Sequence, residues 1–194
     1  MKNKGVLFVI LACMLFPSCM YNTIVELDEN VSAAWAQVQN QYQRRLDLIP
    51  NLVSTVKGYA AHEESVLTEV TEARSRAGGV VEITEEVLND PEQFKKFQEA
   101  QDRLSGALQR LLAVTESYPD LKANENFLSL QDQLEGTENR IATERQRFNE
   151  AVRSYNSYIR KFPNSLVAKY FGDFQAKQFF SATEQAQTAP TVEF

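Results

Sequence analysis

The sequence has little of the chemistry on which most enzyme and metal sites depend. Its 194 residues include two cysteines, Cys13 and Cys19, both near the N-terminus, and a single histidine. A disulfide framework or a thiolate metal site therefore cannot form in the body of the chain, and one histidine cannot supply a histidine-rich metal site. No HExxH, CxxC or GxSxG spacing gives hydrolysis or nucleophilic catalysis a starting point. The sequence predicts a protein with no catalytic residues, no metal and no cofactor.

Basic side chains are also in the minority. The chain carries 20 Lys and Arg against 26 Asp and Glu, a net charge of −6. If the first 18 residues are removed, Lys2 and Lys4 leave with them and the net charge becomes −8. An acidic surface repels the phosphates of DNA and RNA, so the composition argues against nucleic acid as a partner.

No apolar run reaches the length of an ordinary membrane span. Val6 to Phe16 is an unbroken apolar run of eleven residues. Eleven residues at ~1.5 Å each are too few to cross ~30 Å of hydrocarbon, whereas they suit the apolar region of a signal peptide. The basic residues Lys2 and Lys4 precede this run and Ser18-Cys19 follows it. This order predicts a bacterial lipoprotein signal over residues 1–18 and a lipid on Cys19.

A single-pass anchor is the alternative for the same residues. Gly5 to Tyr21 is 17 residues without a charge, the lower limit for a tilted span or a thinned bilayer. In both cases the basic end stays in the cytoplasm and the remainder, residues 19–194, faces outward as one domain. Membrane attachment through the N-terminus is therefore expected, and the lipid bilayer is the first predicted partner.

The rest of the chain is dominated by apolar residues spaced by three and four, the pattern of one face of an α-helix. In the first helix this stripe runs from Ile24 to Ala73 and keeps its phase across Pro50, so one helix is expected to continue to about Ala77. Pro50 lacks a backbone N–H and crowds the carbonyl of Leu46, which predicts a kink or a break there. Kinked continuation is favoured over a reversing turn.

Two further helices follow, each with a start or stop signal. Asp90 and Pro91 predict an N-cap and first turn, with Gln93 completing a capping box. A third long helix, with its apolar positions from Phe127 to Phe162, is expected to run back antiparallel. The tail from Ser165 to Phe194 is too rich in aromatic residues for a disordered segment and should dock on the helices. The predicted fold is all-α, an antiparallel up-and-down bundle of three to four long helices.

Polar side chains interrupt the apolar stripes at a few positions. Arg45 and Glu63 do so in the first helix, Glu138 and Arg145 do so in the third, and Asn139 is adjacent to Glu138. Buried charges persist only when they are paired, so these residues predict an interhelical polar network. The alternative is a polar groove for a partner or a small ligand.

Three segments of the sequence resemble the LemA family of bacterial membrane proteins. They are RRLDLIPNLVSTVKGYAAHE from Arg44, YPDLKANENFLSLQDQLEGTENRIATERQRFNEAVRSYN from Tyr118, and FPNSLVA from Phe162. The resemblance extends over Tyr21 to Phe194. It implies a helical bundle, four-helical if the Pro50 break is counted, tethered to a membrane by its N-terminus and without an established enzymatic activity. The family usually has a full transmembrane helix, and the short leader of this chain departs from that pattern.

Together these observations predict a membrane-tethered, non-enzymatic scaffold or protein-interaction module of the cell envelope. Its expected protein partner is another envelope protein or a second copy of the chain. A small-ligand sensor that uses the polar groove is the alternative function. The sequence does not distinguish the inner from the outer membrane.

Overall fold

The computed structural model describes residues 2–81, 85–172 and 174–181, with side chains from Ser18 to Gly79 and from Val87 onward. All regular structure in these residues is helical, which confirms the all-α prediction. The α-helices are α1 (Lys2–Tyr59), α2 (Glu64–Val81), α3 (Pro91–Thr115), α4 (Pro119–Lys122), α5 (Glu125–Arg160) and α6 (Asn164–Phe171). A 3-10 helix, Glu85–Asn89, precedes α3.

The first helix passes through Pro50 without a break, which confirms the favoured continuation there and excludes the alternative of a break. A proline at this position leaves the carbonyl of Leu46 without its usual helical N–H donor. The Nε of Arg74, on α2, donates a hydrogen bond to that carbonyl at 2.9 Å. The neighbouring helix thus satisfies the group that the proline leaves free.

The chain reverses ten residues later, in the turn 60–63 between α1 and α2. The predicted continuation of this helix to about Ala77 is therefore wrong. Ala60 N–H still donates to Val56 O at 2.8 Å, and Glu63 N–H then donates to Ala60 O at 3.1 Å. Four residues suffice for a helix–helix connection. This turn contains neither glycine nor proline, so the sequence gives no ordinary turn signal at this position.

Cross-helix contacts give the direction in which the long helices pair. From the N-terminal toward the C-terminal end of α1, Trp35 packs on Phe148, Arg45 pairs with Glu138, and the hydroxyl of Tyr59 accepts from Asn124. Because the residue numbers of the partners on and before α5 decrease as those on α1 increase, these two helices run antiparallel.

The same test applies to α2 and α3. Glu69 accepts from Arg110 Nε at 3.0 Å, and Glu63, at the start of α2, accepts from Tyr118 beyond the end of α3. The residue numbers of the partners on and after α3 again decrease as those of the α2 residues increase, so this pair is also antiparallel.

The start of α3 follows the predicted cap with one difference. Asp90 accepts hydrogen bonds from the backbone N–H groups of Glu92 and Gln93, as an N-cap should. The Gln93 side chain, however, donates to the Asp90 carboxylate at 3.0 Å instead of accepting from the Asp90 backbone. The hydrogen bond from the backbone N–H of Gln93, and to a smaller extent the one from Glu92, lower the pKa of the Asp90 carboxyl below its usual value.

The core lies along the predicted stripes and is richest in aromatic rings near Trp35. This side chain is 1% exposed and its ring lies 5.2 Å from that of Phe97 and 5.3 Å from that of Phe148. Phe162, predicted as the last apolar position of the third long helix, is instead 81% exposed because α5 ends at Arg160.

The chain after α6 returns to the helices as an extended segment, 174–181. Phe180 is 5% exposed and Lys177 is 8% exposed, so this part of the tail docks. Docking of the remainder, as far as Phe194, lies outside the described residues. The same holds for the side chains of residues 1–17, which make up all but the last residue of the predicted leader, 1–18. Within the part of the chain that the structure describes, no helix has both the length and the hydropathy needed for a bilayer crossing.

Candidate functional site

Arg45 is the centre of a polar cluster inside the helices. Its side chain is 1% exposed, yet one guanidinium nitrogen donates to Glu138 Oε1 at 2.9 Å and to Ser105 Oγ at 2.9 Å. The other nitrogen donates to the side-chain oxygen of Gln101. Since these residues lie on α1, α3 and α5, one guanidinium links three helices. Such a cluster fixes the register of the helices because no shifted arrangement would satisfy the same buried charge.

The structure places the other three predicted network residues elsewhere. Glu63 accepts from the Tyr118 hydroxyl at 3.1 Å, beside the turn between α1 and α2. Asn139 is exposed on α5. The guanidinium of Arg145 lies over the ring of Phe180, 4.4 Å from its centroid. The structure therefore joins Arg45 to Glu138 and does not bring Glu63, Asn139 or Arg145 into that cluster.

Cys19, the predicted lipid-bearing residue, is an exposed free thiol directly after the predicted leader, 1–18. Its backbone carbonyl accepts from the Thr23 hydroxyl at 3.0 Å, an ordinary contact one helical turn away. Tyr21, two residues further on, packs edge-to-face on Phe174 at 5.7 Å between ring centroids. The N-terminal end of the described side chains is thus next to the start of the docked tail.

Two asparagines of α5 hold the docked tail by its backbone. Asn149 donates to Phe180 O at 2.9 Å and accepts from Phe180 N–H at 2.8 Å. Asn156 does the same with Lys177, at 2.8 Å and 2.9 Å. Each amide takes the place of a second peptide group, since it offers one donor and one acceptor. We call Asn149 and Asn156 the asparagine clamps.

The spacing of the clamps matches the spacing of the tail. Seven residues of an α-helix rise about 10.5 Å, and three residues of an extended chain cover about 10 Å. Asn149 and Asn156 are seven residues apart, and the backbones that they bind, at Phe180 and Lys177, are three apart. The tail therefore lies extended and antiparallel to α5.

Two side chains of the tail enter separate pockets. Lys177 Nζ lies 2.5 Å from Asp28 Oδ1 and 5.4 Å from the ring centroid of Tyr155. Phe180 packs on four rings contributed by three helices, at centroid distances of 5.1 to 6.4 Å: Trp35, Phe94, Phe97 and Phe148. Sequence reasoning predicted that the tail docks but missed these pockets. The available signal was a pair of asparagines seven residues apart, beside the apolar face of α5.

Tyr42 is the most deeply buried phenol beside the Arg45 cluster. Burial raises the pKa of the Tyr42 hydroxyl above its usual value, and the positive charges of Arg145 and Arg45 oppose that rise. The guanidinium of Arg45 also lies over the Tyr42 ring, 5.1 Å from its centroid. The phenol is thus held neutral in the folded protein.

We expect the protein to lose stability in alkali for this reason. Because the pKa of Tyr42 is higher in the folded than in the unfolded chain, its contribution is complete below pH ~10 and is lost as the pH rises. The free energy of unfolding should fall above that pH with a slope of up to about 1.4 kcal/mol per pH unit from this residue. Urea unfolding at pH 8, 10 and 11 measures the slope, and Tyr42→Phe should flatten it. An unchanged slope in Tyr42→Phe would contradict the assignment.

The described residues offer no group of three or more His, Cys, Asp and Glu side chains placed to hold a metal ion. What they do offer is recognition chemistry: paired amides for a backbone, a carboxylate for a cation, and an aromatic pocket for a ring. These features define the class of the molecule, an all-helical protein whose long helices carry an extended peptide segment.

Within that class, residues 34–194 match the model of the LemA family, so the chain belongs to the LemA family. It is 29% identical over 174 residues to magnetosome protein MamQ 2 of Paramagnetospirillum magneticum and 28% identical over 175 residues to magnetosome protein MamQ of Magnetospirillum gryphiswaldense. Each match covers 82% of this chain and 64% of the relative. Protein LemA of Metamycoplasma hominis is 27% identical over 164 residues, 84% of this chain and 69% of the relative. The chain thus spans less than two thirds of the length of the MamQ relatives.

Proposed function

We propose that this LemA-family chain is a membrane-tethered, non-enzymatic scaffold or protein-interaction module of the bacterial cell envelope. In this proposal residues 1–18 form a signal peptide, Cys19 carries the lipid, and residues 19–194 face the periplasm or the exterior. The two antiparallel helix pairs support a single up-and-down bundle built from α1, α2, α3 and α5. The names of the magnetosome relatives agree with a setting at a membrane-bounded compartment.

One observation carries the membrane part of this proposal: a cluster of exposed apolar side chains around α6. We call it the α6 patch, and its members are 50% to 81% exposed: Phe162, Leu166, Tyr170 and Phe171. Lys161 and Lys169 lie among them. Aromatic rings flanked by lysines are typical of surfaces that rest in the headgroup region of a bilayer.

The position of the α6 patch fits the predicted tether. Phe174 hydrogen-bonds through its N–H to Ala168 O of α6 and packs on Tyr21 of α1, so α6 lies beside residue 21. The apolar run of the predicted leader ends at Phe16, five residues before Tyr21, or roughly 7.5 Å along a helix. A tether at Cys19 would therefore bring the α6 patch to the bilayer surface.

The intact mass of the protein extracted from membranes tests the tether. We expect a chain that lacks residues 1–18 and carries acyl chains, and we expect Cys19→Ala to abolish both changes. An unmodified full-length mass in the membrane fraction would instead support the single-pass anchor. A full-length protein that salt releases from the membrane would overturn the tether.

A matched pair of variants tests the α6 patch in a separate vesicle-binding experiment. In the Cys19→Ala background, replacing Tyr170 and Phe171 by serine should weaken binding to anionic lipid vesicles several-fold. Leu128→Ser is the control because Leu128 is also exposed, at 44%, but lies at the opposite end of α5. Equal binding by both variants would remove the α6 patch from the proposal.

A small-ligand function is the second candidate, and one feature favours it. An open depression of about 500 Å³ lies between α5 and the docked tail, and its lining includes Arg145, Asn149, Glu150 and Arg153 together with Phe180. Its two guanidinium groups outnumber its single carboxylate, a balance that suits an anionic ligand. The absence of any thermal shift with a panel of small anionic metabolites would count against this function.

A further inference from the structure

The groove under the docked tail is built by helices that contact one another independently of the tail. Trp35 of α1 packs directly on Phe97 of α3 and on Phe148 of α5. The Arg45 cluster ties the same three helices together further along. Removing the tail would therefore leave the walls of the groove in place. This is the condition for a preorganised binding site.

Recognition of the tail is divided between its backbone and its side chains. The asparagine clamps bind backbone N–H and C=O groups, which every residue type offers. A third backbone contact comes from Gln178 N–H, which donates to Leu88 O at 2.9 Å. Binding of an extended backbone gives affinity without sequence preference, and separate pockets then add the preference.

The two pockets define that preference. The Lys177 pocket combines the Asp28 carboxylate with the face of the Tyr155 ring, which together suit a cation. The Phe180 pocket is closed by four rings and covered by the guanidinium of Arg145. Between them, Gln178 is partly exposed and Phe179 is 60% exposed, so the intervening positions are free to vary.

We propose that this groove is a recognition site for extended peptides of the form Lys-x-x-Phe from a partner protein. Residues 174–181 occupy it as an intramolecular ligand that such a peptide displaces. The inference rests on the proposed interaction function and names the chemistry of its partner. Among the described residues, release of the segment 174–181 opens no helix and breaks only the contacts of that segment.

The tail competes with any free peptide at high effective concentration. A segment joined by a short linker reaches about millimolar effective concentration at its own site. Peptide binding to the unaltered chain should therefore be weak, and a change that loosens the tail should strengthen it. A groove that never opens to a free peptide would not give this inverse relation.

The experiment uses the full chain in detergent micelles and a fluorescent synthetic peptide, FQAKQFFS, which copies residues 174–181. Fluorescence anisotropy should show at least tenfold tighter binding to the Phe180→Ala chain than to the unaltered chain. The same substitution made in the peptide instead should abolish binding. Asn149→Leu, added to the Phe180→Ala chain, should also abolish it because one asparagine clamp is lost.

Trp35 supplies a second measurement in the same samples. It is the only tryptophan, and its ring lies 6.2 Å from that of Phe180. Its emission should shift to longer wavelength in Phe180→Ala, as water reaches the emptied pocket, and return when the peptide binds. Lys177→Glu loosens the tail by repulsion from Asp28 and repeats the test with Phe180 intact, should Phe180→Ala not fold.

The following results would overturn the proposal. The first is a folded, loosened chain that fails to bind the peptide, which would make the docked tail a permanent structural clasp. The second is peptide binding that is unaffected by Asn149→Leu, which would place the peptide elsewhere. The third is a dimer of the unaltered chain that Lys177→Glu dissociates while no variant binds the peptide, which would make a second copy the occupant. None of these results affects the mass measured for Cys19, so failure here is separate from failure of the tether.

Discussion

Replacing Trp35 by alanine is expected to lower the free energy of unfolding by about 4 kcal/mol. The side chain is 1% exposed and its ring packs on rings from α3 and α5, so the substitution empties a space that three helices share. Aromatic-to-alanine changes in protein cores cost about 3–5 kcal/mol because the cavity collapses only partly. Urea unfolding followed by circular dichroism measures the effect, since the variant has no tryptophan to report by fluorescence.

Two control variants distinguish a loss of stability caused by the aromatic cluster from one caused by removing any apolar side chain. Trp35→Phe keeps a ring in contact with its neighbours and should cost less than half as much. Tyr170→Ala removes a ring that is 71% exposed, and it should change stability by less than about 0.5 kcal/mol. A loss below about 1 kcal/mol for Trp35→Ala would show that the core of the protein is centred elsewhere.

The sequence predicts the long helices well because their burial follows one rule. Along α5, Phe127, Leu134, Ile141 and Phe148 fall on the predicted stripe and are all buried. A period of 3.6 residues puts such positions on one face wherever the helix packs. The helical period and the cap at Asp90 are local properties, so a single sequence contains them.

The turn between α1 and α2 was missed because residues 60–63 contain no glycine or proline that would indicate it. Pro50 is a helix breaker in the same segment, yet the helix continues through it, and Arg74 donates to the carbonyl that this proline leaves free. Arg74 lies 28 residues away, and its role exists only once α2 has folded back. The apolar pattern favoured continuation through Pro50, whereas the contact that satisfies its free carbonyl is tertiary and cannot be read from the first helix alone.

The polar cluster was predicted in part for a related reason. Arg45 and Glu138 both continue an apolar stripe, so their burial against another helix could be expected. Asn139 follows Glu138 by one residue, a rotation of about 100° that turns it to solvent. Arg145 does lie on the stripe, but its neighbour is the ring of Phe180. This contact depends on the path of the tail. The buried residues of the tail, Lys177 and Phe180, are three apart, and this spacing matches neither the alternation of a strand nor the full apolar pattern of a helix.

The Arg45 cluster gives the second large effect, and the effect should be unequal for its two charges. Glu138→Leu is expected to cost about 3 kcal/mol because it leaves the buried guanidinium with only neutral acceptors, Ser105 and Gln101. Arg45→Met should cost about 1–2 kcal/mol, since it removes the buried charge altogether. The Glu138 side chain is 40% exposed and can then be hydrated. Urea unfolding of both variants at neutral pH measures the difference.

The double variant Arg45→Met, Glu138→Leu tests whether the cost of Glu138→Leu depends on the buried charge of Arg45. Once Arg45 is methionine, Glu138→Leu has no buried charge left to strand, so the double variant should be about as stable as Arg45→Met alone. Glu135→Leu is the matched control because Glu135 is exposed on the same helix, and it should cost less than about 0.5 kcal/mol. Additive costs in the double variant would mean that Arg45 and Glu138 do not depend on each other. Equal costs of the two single variants would mean that water reaches the guanidinium, and the cluster would then belong to the surface of the protein and not to its core.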